Sequence, residues 1–323
     1  MTRSDTIFVA GHRGLVGSAL VRELTRRGYG NLLLRTTAQL DLRDQAATRS
    51  FFEEERPSYV FLAAGKVGGI LANNTYRAQF IYDNLMIATN VMHMSYASGV
   101  RKLVNLGSSC IYPKLAPQPM KEEYLLSGPL EPTNEPYAVA KIAAIKIASS
   151  YNAEYGTNFL SLMPTNLYGP NDNFDLARSH VLAAIMRKMH EATQTREPVV
   201  LWGDGSPRRE FLFVDDLANA AVLLMEEHEA AEIGELINIG TGSDVTINEL
   251  AALAAQIIGF EGEVKWDTSR PNGAARKLLD TSKMAKLGWR ARTSLRDGIR
   301  ATYEWFTRMF AERQLRGYQE SPK

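Results

Sequence analysis

The chain has 323 residues, more than one ordinary domain needs, with 37 Lys plus Arg against 36 Asp plus Glu and a single cysteine, Cys110. That charge balance excludes a strong global field for duplex nucleic acid or an anionic membrane, and one cysteine excludes an intrachain disulfide. No apolar run reaches the ~18 residues of a membrane span, and the start MTRSDTIFVAG enters a strand with no room for a secretory leader, so a cytoplasmic protein acting on a small molecule is expected.

Short apolar runs at 6–10, 31–35, 59–63, 102–107 and 158–163 predict strands, and amphipathic stretches at 14–27, 44–56, 74–98 and 134–155 predict the helices between them. Strict alternation of this kind predicts an α/β fold with a Rossmann-type doubly wound parallel sheet. Residues 113–136 are Pro-rich and polar, too long for a plain connection, and predict a functional loop over the C-terminal edge of the sheet. After Pro164 the alternation loosens, with strands expected at 199–202, 236–240 and 264–267 and helices at 247–258 and 295–310. The expected division is a cofactor domain of 1–169 plus about 211–240, and a smaller α/β C-terminal substrate-binding lobe of 170–210 plus 241–323.

Between the first strand and first helix stands IFVAGHRGLVGSAL, which spaces Gly11, Gly14 and Gly17 as GxxGxxG. Glycines there allow a tight turn, backbone approach to a pyrophosphate and close helix packing, while the helix N-terminus supplies donors. The second strand ends LLLRTT, so Arg35 stands where an NAD site would usually place an acid. An arginine suits a 2′-phosphate, with Arg13 as its second candidate, and the expected cofactor is NADP(H). Asp41 with Leu42 falls where the adenosine would lie, and Ala63 with Ala64 beside the pyrophosphate-side ribose. In EPYAVAKIAA, Tyr137 and Lys141 lie four residues apart on one helix face. An ammonium beside a phenol is expected to lower its pKa from the usual ~10 and let it exchange a proton with a sugar oxygen.

The glycine-rich first turn, a strand ending at Ser108, and the Tyr137–Lys141 pair resemble the extended short-chain dehydrogenase/reductase family. AGHRGLVGSA, KVGGI, ANNTY, GSSCIYPK, EPTNEPYAVAKIA, MPTNLYGPNDNF, SHV, WGDGSPRREF and RKLLD are similar to its GDP-L-fucose synthase branch from about residue 6 to residue 310. The resemblance implies a GDP-linked 4-keto sugar epimerised at C3 and C5 and then reduced at C4 with NADPH, no metal, and a homodimer built from two long helices of each subunit. It implies catalytic roles for Ser108 and Tyr137 as donors to the C4 oxygen, Lys141 as partner of Tyr137, Cys110 as base and His180 as acid. Thiol and imidazole both change protonation near neutrality.

The same likeness extends the cofactor contacts to His12, Leu15, Val16, Leu106, Gly107, Pro164, Thr165, Asn166, Leu167 and His180, alongside the glycine loop, Arg35 and Lys141. It assigns substrate contacts to Ser109, Asn166, Arg187, Trp202, Arg209 and Asn272, besides Ser108 and Cys110. A relative reads Pro-Asp-Gly where this chain has Pro271, Asn272 and Gly273, so the contact at Asn272 carries no charge. The competing readings are an enzyme of the same build acting on a 3,6-dideoxy, colitose-type GDP sugar, a simple 4-keto reductase, a UDP-sugar 4-epimerase and a non-catalytic cofactor-binding module.

Overall fold

The computed structural model describes residues 1–315 apart from Ala177 and Pro271; Pro271 and residues 316–323 of the predicted 241–323 lobe thus lie outside the described residues. The first half runs β1 (Ile7–Ala10), α1 (Leu15–Arg26), β2 (Leu32–Leu33), α2 (Gln45–Glu55), β3 (Tyr59–Leu62), α3 (Ile70–Thr75), α4 (Arg77–Ala97), β4 (Lys102–Leu106), α5 (Glu135–Tyr155) and β5 (Phe159–Pro164). The second half runs β6 (Asn166–Tyr168), α6 (Val181–Thr195), β7 (Val199–Trp202), β8 (Arg208–Arg209), β9 (Phe211–Phe213), α7 (Val214–Glu227), α8 (Ala230–Ile233), β10 (Ile237–Ile239), β11 (Val245–Thr246), α9 (Ile247–Ile258), β12 (Val264–Asp267), β13 (Arg276–Lys277), α10 (Ser282–Lys286) and α11 (Leu295–Ala311).

Six strands form one parallel sheet in the order β10-β5-β4-β3-β1-β2. The winding reverses between β1 and β3, and the crevice outside the strand ends at such a switch point is where ligands bind in open α/β sheets. Every residue of β1, β3, β4 and β5 is buried, as expected for strands covered on both faces. Side chains alternate across the sheet. Ile7 and Val9 face α1 and α7 with Leu20, Leu24, Leu217 and Val222, while Phe8 and Ala10 face α2, α4 and α5 with Phe52, Val91 and Met92.

The same alternation in β9 joins two cores. Phe211 and Phe213 enter a separate apolar cluster with Phe174, Leu182, Met186, Leu250 and Phe306, while Leu212 faces the sheet. The loop after β4 crosses to the same region. Met120 N–H donates to the Leu278 carbonyl at 2.8 Å, and Asp280 N–H donates to the Met120 carbonyl at 2.8 Å.

Local signals set several boundaries. Pro136 opens α5, where a missing N–H costs nothing, and Gly156 closes it in the left-handed conformation at φ 65°. The strand expected at 31–35 shortens to two residues, because only Leu32 and Leu33 pair with β1 at this sheet edge. The helix expected at 74–98 is broken at Tyr76 (φ −106°, ψ 41°) and starts earlier, at Ile70. Among the described residues no helix is long and apolar enough to cross a membrane.

Candidate active site

The turn after β1 is a cradle that side chains would fill. Gly11 has φ +83°, and a Cβ on it would lie 2.8 Å from Ala64 N and 2.9 Å from the Ala63 carbonyl oxygen. A Cβ on Gly17 would collide with the Gly11 backbone. Gly14 N–H donates to the Gly11 carbonyl at 2.9 Å, and Gly14 caps α1 with no side-chain bond to its first N–H groups, including those of Leu15 and Val16. Such an opening suits the pyrophosphate of a dinucleotide. Arg13 is exposed, and His12 faces the Arg35 backbone with its Nδ1 buried and without a hydrogen-bond partner among the described residues. Burial lowers the His12 pKa, and Arg13 lowers it further. Arg35 itself pairs with Glu55 and lies 5.7 Å from the Phe51 ring centroid. The structure thus gathers His12, Arg13 and Arg35 in one corner, while Asp41 forms an ion pair with Arg43 at 2.7 Å beside buried Leu42.

The candidate reacting end lies at the C-terminal end of β4. Gly107 N–H donates to the Leu162 carbonyl at 2.8 Å, and a Cβ there would strike Met163. Ser108 then caps the short 3-10 turn Ser109–Ile111, its hydroxyl accepting from Cys110 N–H at 3.4 Å. That turn packs on α5, which carries Tyr137 and Lys141. The Cys110 thiol is pushed up by burial, against which Ser108, Lys277 and Lys141 all act. Cys110 and Ser108 both face the Tyr137 phenol, so four side chains meet at one place, Cys110 and Lys141 buried and Ser108 and Tyr137 half-buried.

One expectation is overturned here. The Tyr137 pKa is raised, not lowered: burial drives it up, Cys110 adds to the rise and Ser108 alone opposes it. Lys141 is too far engaged elsewhere to reverse this. Its Nζ donates to the Leu106 carbonyl at 2.8 Å and stands 5.8 Å from the Tyr137 ring centroid. Desolvation also takes the lysine down to about 8. In a low-dielectric pocket the phenolate loses more hydration than a weakly held ammonium returns.

His180 is exposed at the N-cap of α6 and meets the site indirectly. Gly69 N–H donates to the Arg178 carbonyl at 3.0 Å, and the neighbouring Gly68 packs under Phe80, whose ring stands edge-on to Tyr137 at 6.1 Å. On the far side, Thr165 Oγ1 and Asn166 Nδ2 donate to the Glu210 carbonyl at 3.2 and 2.8 Å, holding the Pro164–Leu167 stretch against β9.

The predicted nucleotide contacts are spread more widely. Arg187 is buried, donating to Glu191 at 2.8 Å and to the Phe174 carbonyl at 3.0 Å. Trp202 is 51% exposed with Arg270 over its ring at 5.2 Å. Asn272 Oδ1 accepts from Asp204 N–H at 2.9 Å and so closes the loop after β7. Arg209 alone reaches toward the thiol, through a residue not singled out from the sequence.

That residue is Lys277. It pairs in register with Arg209 across β13 and β8, so both side chains leave the same face, and both pKa values are lowered by burial. On the opposite face Arg208 and Arg276 share Asp244, at 2.9 and 2.5 Å. Arg209 and Lys277 have no such ion pair among the described residues. Glu131 acts on Lys277 only from beyond ion-pair distance, so two cations beside a thiol with no direct ion pair among the described residues suit a doubly charged anion.

A family model described as NAD dependent epimerase/dehydratase family matches residues 7–240. The chain belongs to this family. It is 57% identical to GDP-L-fucose synthase 1 of Arabidopsis thaliana over 312 residues, 96% of each chain, and 54% identical to the GDP-L-fucose synthase of Escherichia coli (strain K12) over 307 residues, 93% of this chain and 96% of that one. A GDP-L-colitose synthase of Yersinia pseudotuberculosis is more distant, at 34% over 302 residues, 93% of this chain and 97% of that one. Among solved structures it is similar to MlghC, a GDP-mannoheptose C4 reductase from Campylobacter jejuni with NADP bound, with TM-score 0.89 and 42% identity over 95% of this chain and 99% of that one.

RKLLD carried the signal for Lys277: a basic pair before an apolar run, with Lys277 alternating away from Arg276. What could not be read was that its strand lies beside Arg209, 68 residues earlier, because a two-residue strand has no pattern of its own.

Proposed function

We propose that this chain is an NADPH-dependent epimerase-reductase converting GDP-4-keto-6-deoxy-D-mannose to GDP-L-fucose, by inversion at C3 and C5 and reduction at C4. The observation that carries this reading is the common space of Ser108, Cys110, Tyr137 and Lys141 beside the glycine cradle. A C4 ketone acidifies the C–H bonds at C3 and C5, since either carbanion is an enolate with its charge on the C4 oxygen. Ser108 and Tyr137 donate hydrogen bonds to that oxygen and stabilise the charge. A phenol pushed up by burial is protonated at neutral pH, the state this task needs.

Cys110 takes the proton from one face of the ring, with the Lys277 and Lys141 ammonium groups favouring its thiolate, and His180 returns a proton to the other face. NADPH, held by Gly11–Gly17, Ala63, Ala64, Leu106, Gly107, Lys141 and the Pro164–Leu167 stretch, supplies the hydride for C4 when bound. Tyr137 gives its proton to the C4 oxygen, and Lys141, with a pKa of about 8, is suited to exchange protons with it near neutrality. Arg35, helped by Arg13 and His12, accounts for NADP(H) over NAD(H), with Asp41 and Leu42 at the adenosine. Arg209 and Lys277 take the diphosphate, and Arg187, Trp202 and Asn272 lie toward the guanosine. On this reading residues 1–169 and 211–240 hold the dinucleotide, and 170–210 and 241–323 the GDP sugar.

The working form is a homodimer joined through α4 and α5. Tyr82, Tyr96, Val139 and Tyr155 on these helices are all more than a third exposed, which supports a partner there.

Proton NMR of the product formed in D₂O from GDP-4-keto-6-deoxy-D-mannose and NADPH tests the reading. Deuterium at C3 and C5 with inverted configuration is expected. A reduced product that retains protium at both carbons rejects the epimerase, and a strong preference for the 3,6-dideoxy keto sugar rejects the fucose assignment.

A further inference from the structure

The segment between β3 and α3, Gly65–Gly69, touches three parts of the site at once. A Cβ on Gly65 would lie 2.7 Å from Asn84 Oδ1 and 3.7 Å from Lys141 Nζ. On Gly68 it would lie 3.3 Å from Phe80, the ring that stands against Tyr137. On Gly69 it would lie 2.8 Å from the Ser179 carbonyl oxygen, and the next residue is His180. Gly69 N–H already donates to the Arg178 carbonyl at 3.0 Å, so two backbones meet here with no room between them.

Two buried amides hold the segment in place. Asn84 Nδ2 donates to the Lys66 carbonyl and Lys66 N–H donates to Asn84 Oδ1, both at 3.0 Å. Asn73 Nδ2 donates to the Gly68 and Gly69 carbonyls at 2.7 and 3.1 Å. Asn73 Oδ1 and Ser179 Oγ are buried with no partner among the described residues. Most buried polar atoms in folded proteins are paired, so this close approach is kept against a local cost.

We propose that Gly65–Gly69 is a positioning element that sets His180 relative to Tyr137 and Lys141, and so fixes the separation of the two faces at which protons leave and enter the sugar. The proposal rests on His180 being the acid. Gly69 has φ −68° and ψ −179°, a conformation any residue adopts, so Gly69→Ala changes the approach to Ser179 without straining its own backbone.

The test measures C3 and C5 proton exchange of GDP-4-keto-6-deoxy-D-mannose in D₂O, NADPH affinity by fluorescence titration and thermal midpoints, in Gly69→Ala, Asn73→Ala and His180→Asn. A displacement near 1 Å costs on the order of 100-fold in rate. Gly69→Ala is expected to slow exchange by about that factor through kcat, with KM for the keto sugar and NADPH affinity held. Asn73→Ala, which adds no volume and frees both carbonyls, is expected to slow it about tenfold. Native exchange in His180→Asn overturns the reading of the acid itself. Slow exchange there with native exchange in folded Gly69→Ala overturns the positioning role. If Gly69→Ala does not fold, Asn73→Ala decides: native exchange in it rejects the proposal.

Discussion

In the proposed mechanism Lys141 sets activity against stability. Its ammonium is enclosed by protein and donates to the Leu106 carbonyl, and desolvation takes its pKa from 10.5 to about 8. Between those values the unfolded chain binds more protons than the folded chain, so stability rises with pH across that window. Below pH 8 the lysine is charged in both states and the fold bears the whole penalty. At about 1.36 kcal/mol per pKa unit this is about 3 kcal/mol. Lys141→Met removes the penalty but strands the Leu106 carbonyl, which costs about 1–3 kcal/mol. At pH 7 the inactive variant is therefore expected to be as stable as the wild type or up to about 2 kcal/mol more stable. The pH dependence isolates the charge, because the stranded carbonyl does not titrate. From pH 7 to pH 10 the wild type should gain about 2–3 kcal/mol on the variant. Urea unfolding followed by tryptophan fluorescence, without NADPH, measures both. Parallel pH profiles for the two proteins would refute the reasoning.

Replacing Arg35 with Ala should erode the preference for NADPH over NADH by about tenfold or more, as expected for losing one charge-assisted contact to a 2′-phosphate; an unchanged ratio of kcat/KM values counts against that contact. Cys110→Ser should slow deuterium incorporation at C3 and C5 while NADPH affinity is kept, and incorporation at the native rate would remove Cys110 as the base. Lys277→Met should raise KM for the GDP sugar by about 10- to 100-fold, the effect of one hydrogen bond to a charged group, with NADPH affinity kept. Equal KM values in wild type and variant would show that Arg209 meets the diphosphate without it.

The parallel sheet was legible because its strands are fully buried and its helices carry ordinary stop signals, such as Pro136 at the start of α5 and Gly156 at its end. The glycine cradle was legible because Gly11 and Gly17 tolerate no side chain, a constraint that shows directly as residue type. Helix α7 escaped notice among the expected elements: eight of its residues are buried between α1 and the sheet, and an apolar run of that kind blurs the helical period. The helix break at Tyr76 was equally hidden, since Asn73 and Thr75 turn their side chains onto nearby backbone carbonyls only in the folded chain.

By itself the sequence determined which groups exist at the ends of the strands: a phenol and ammonium one helical turn apart, a serine two residues before a thiol, and arginines at the cofactor loop. These are short-range facts, carried by periods of two and 3.6 residues. Only the tertiary structure decided how those groups behave. Burial raised the Tyr137 phenol where the local pairing implied the reverse, and strand pairing put Lys277 beside Arg209 with Asp244 spent on the other face. The physical reason is that desolvation and long-range pairing depend on which distant segments exclude water from a site, and that is a property of the packed chain rather than of any stretch within it.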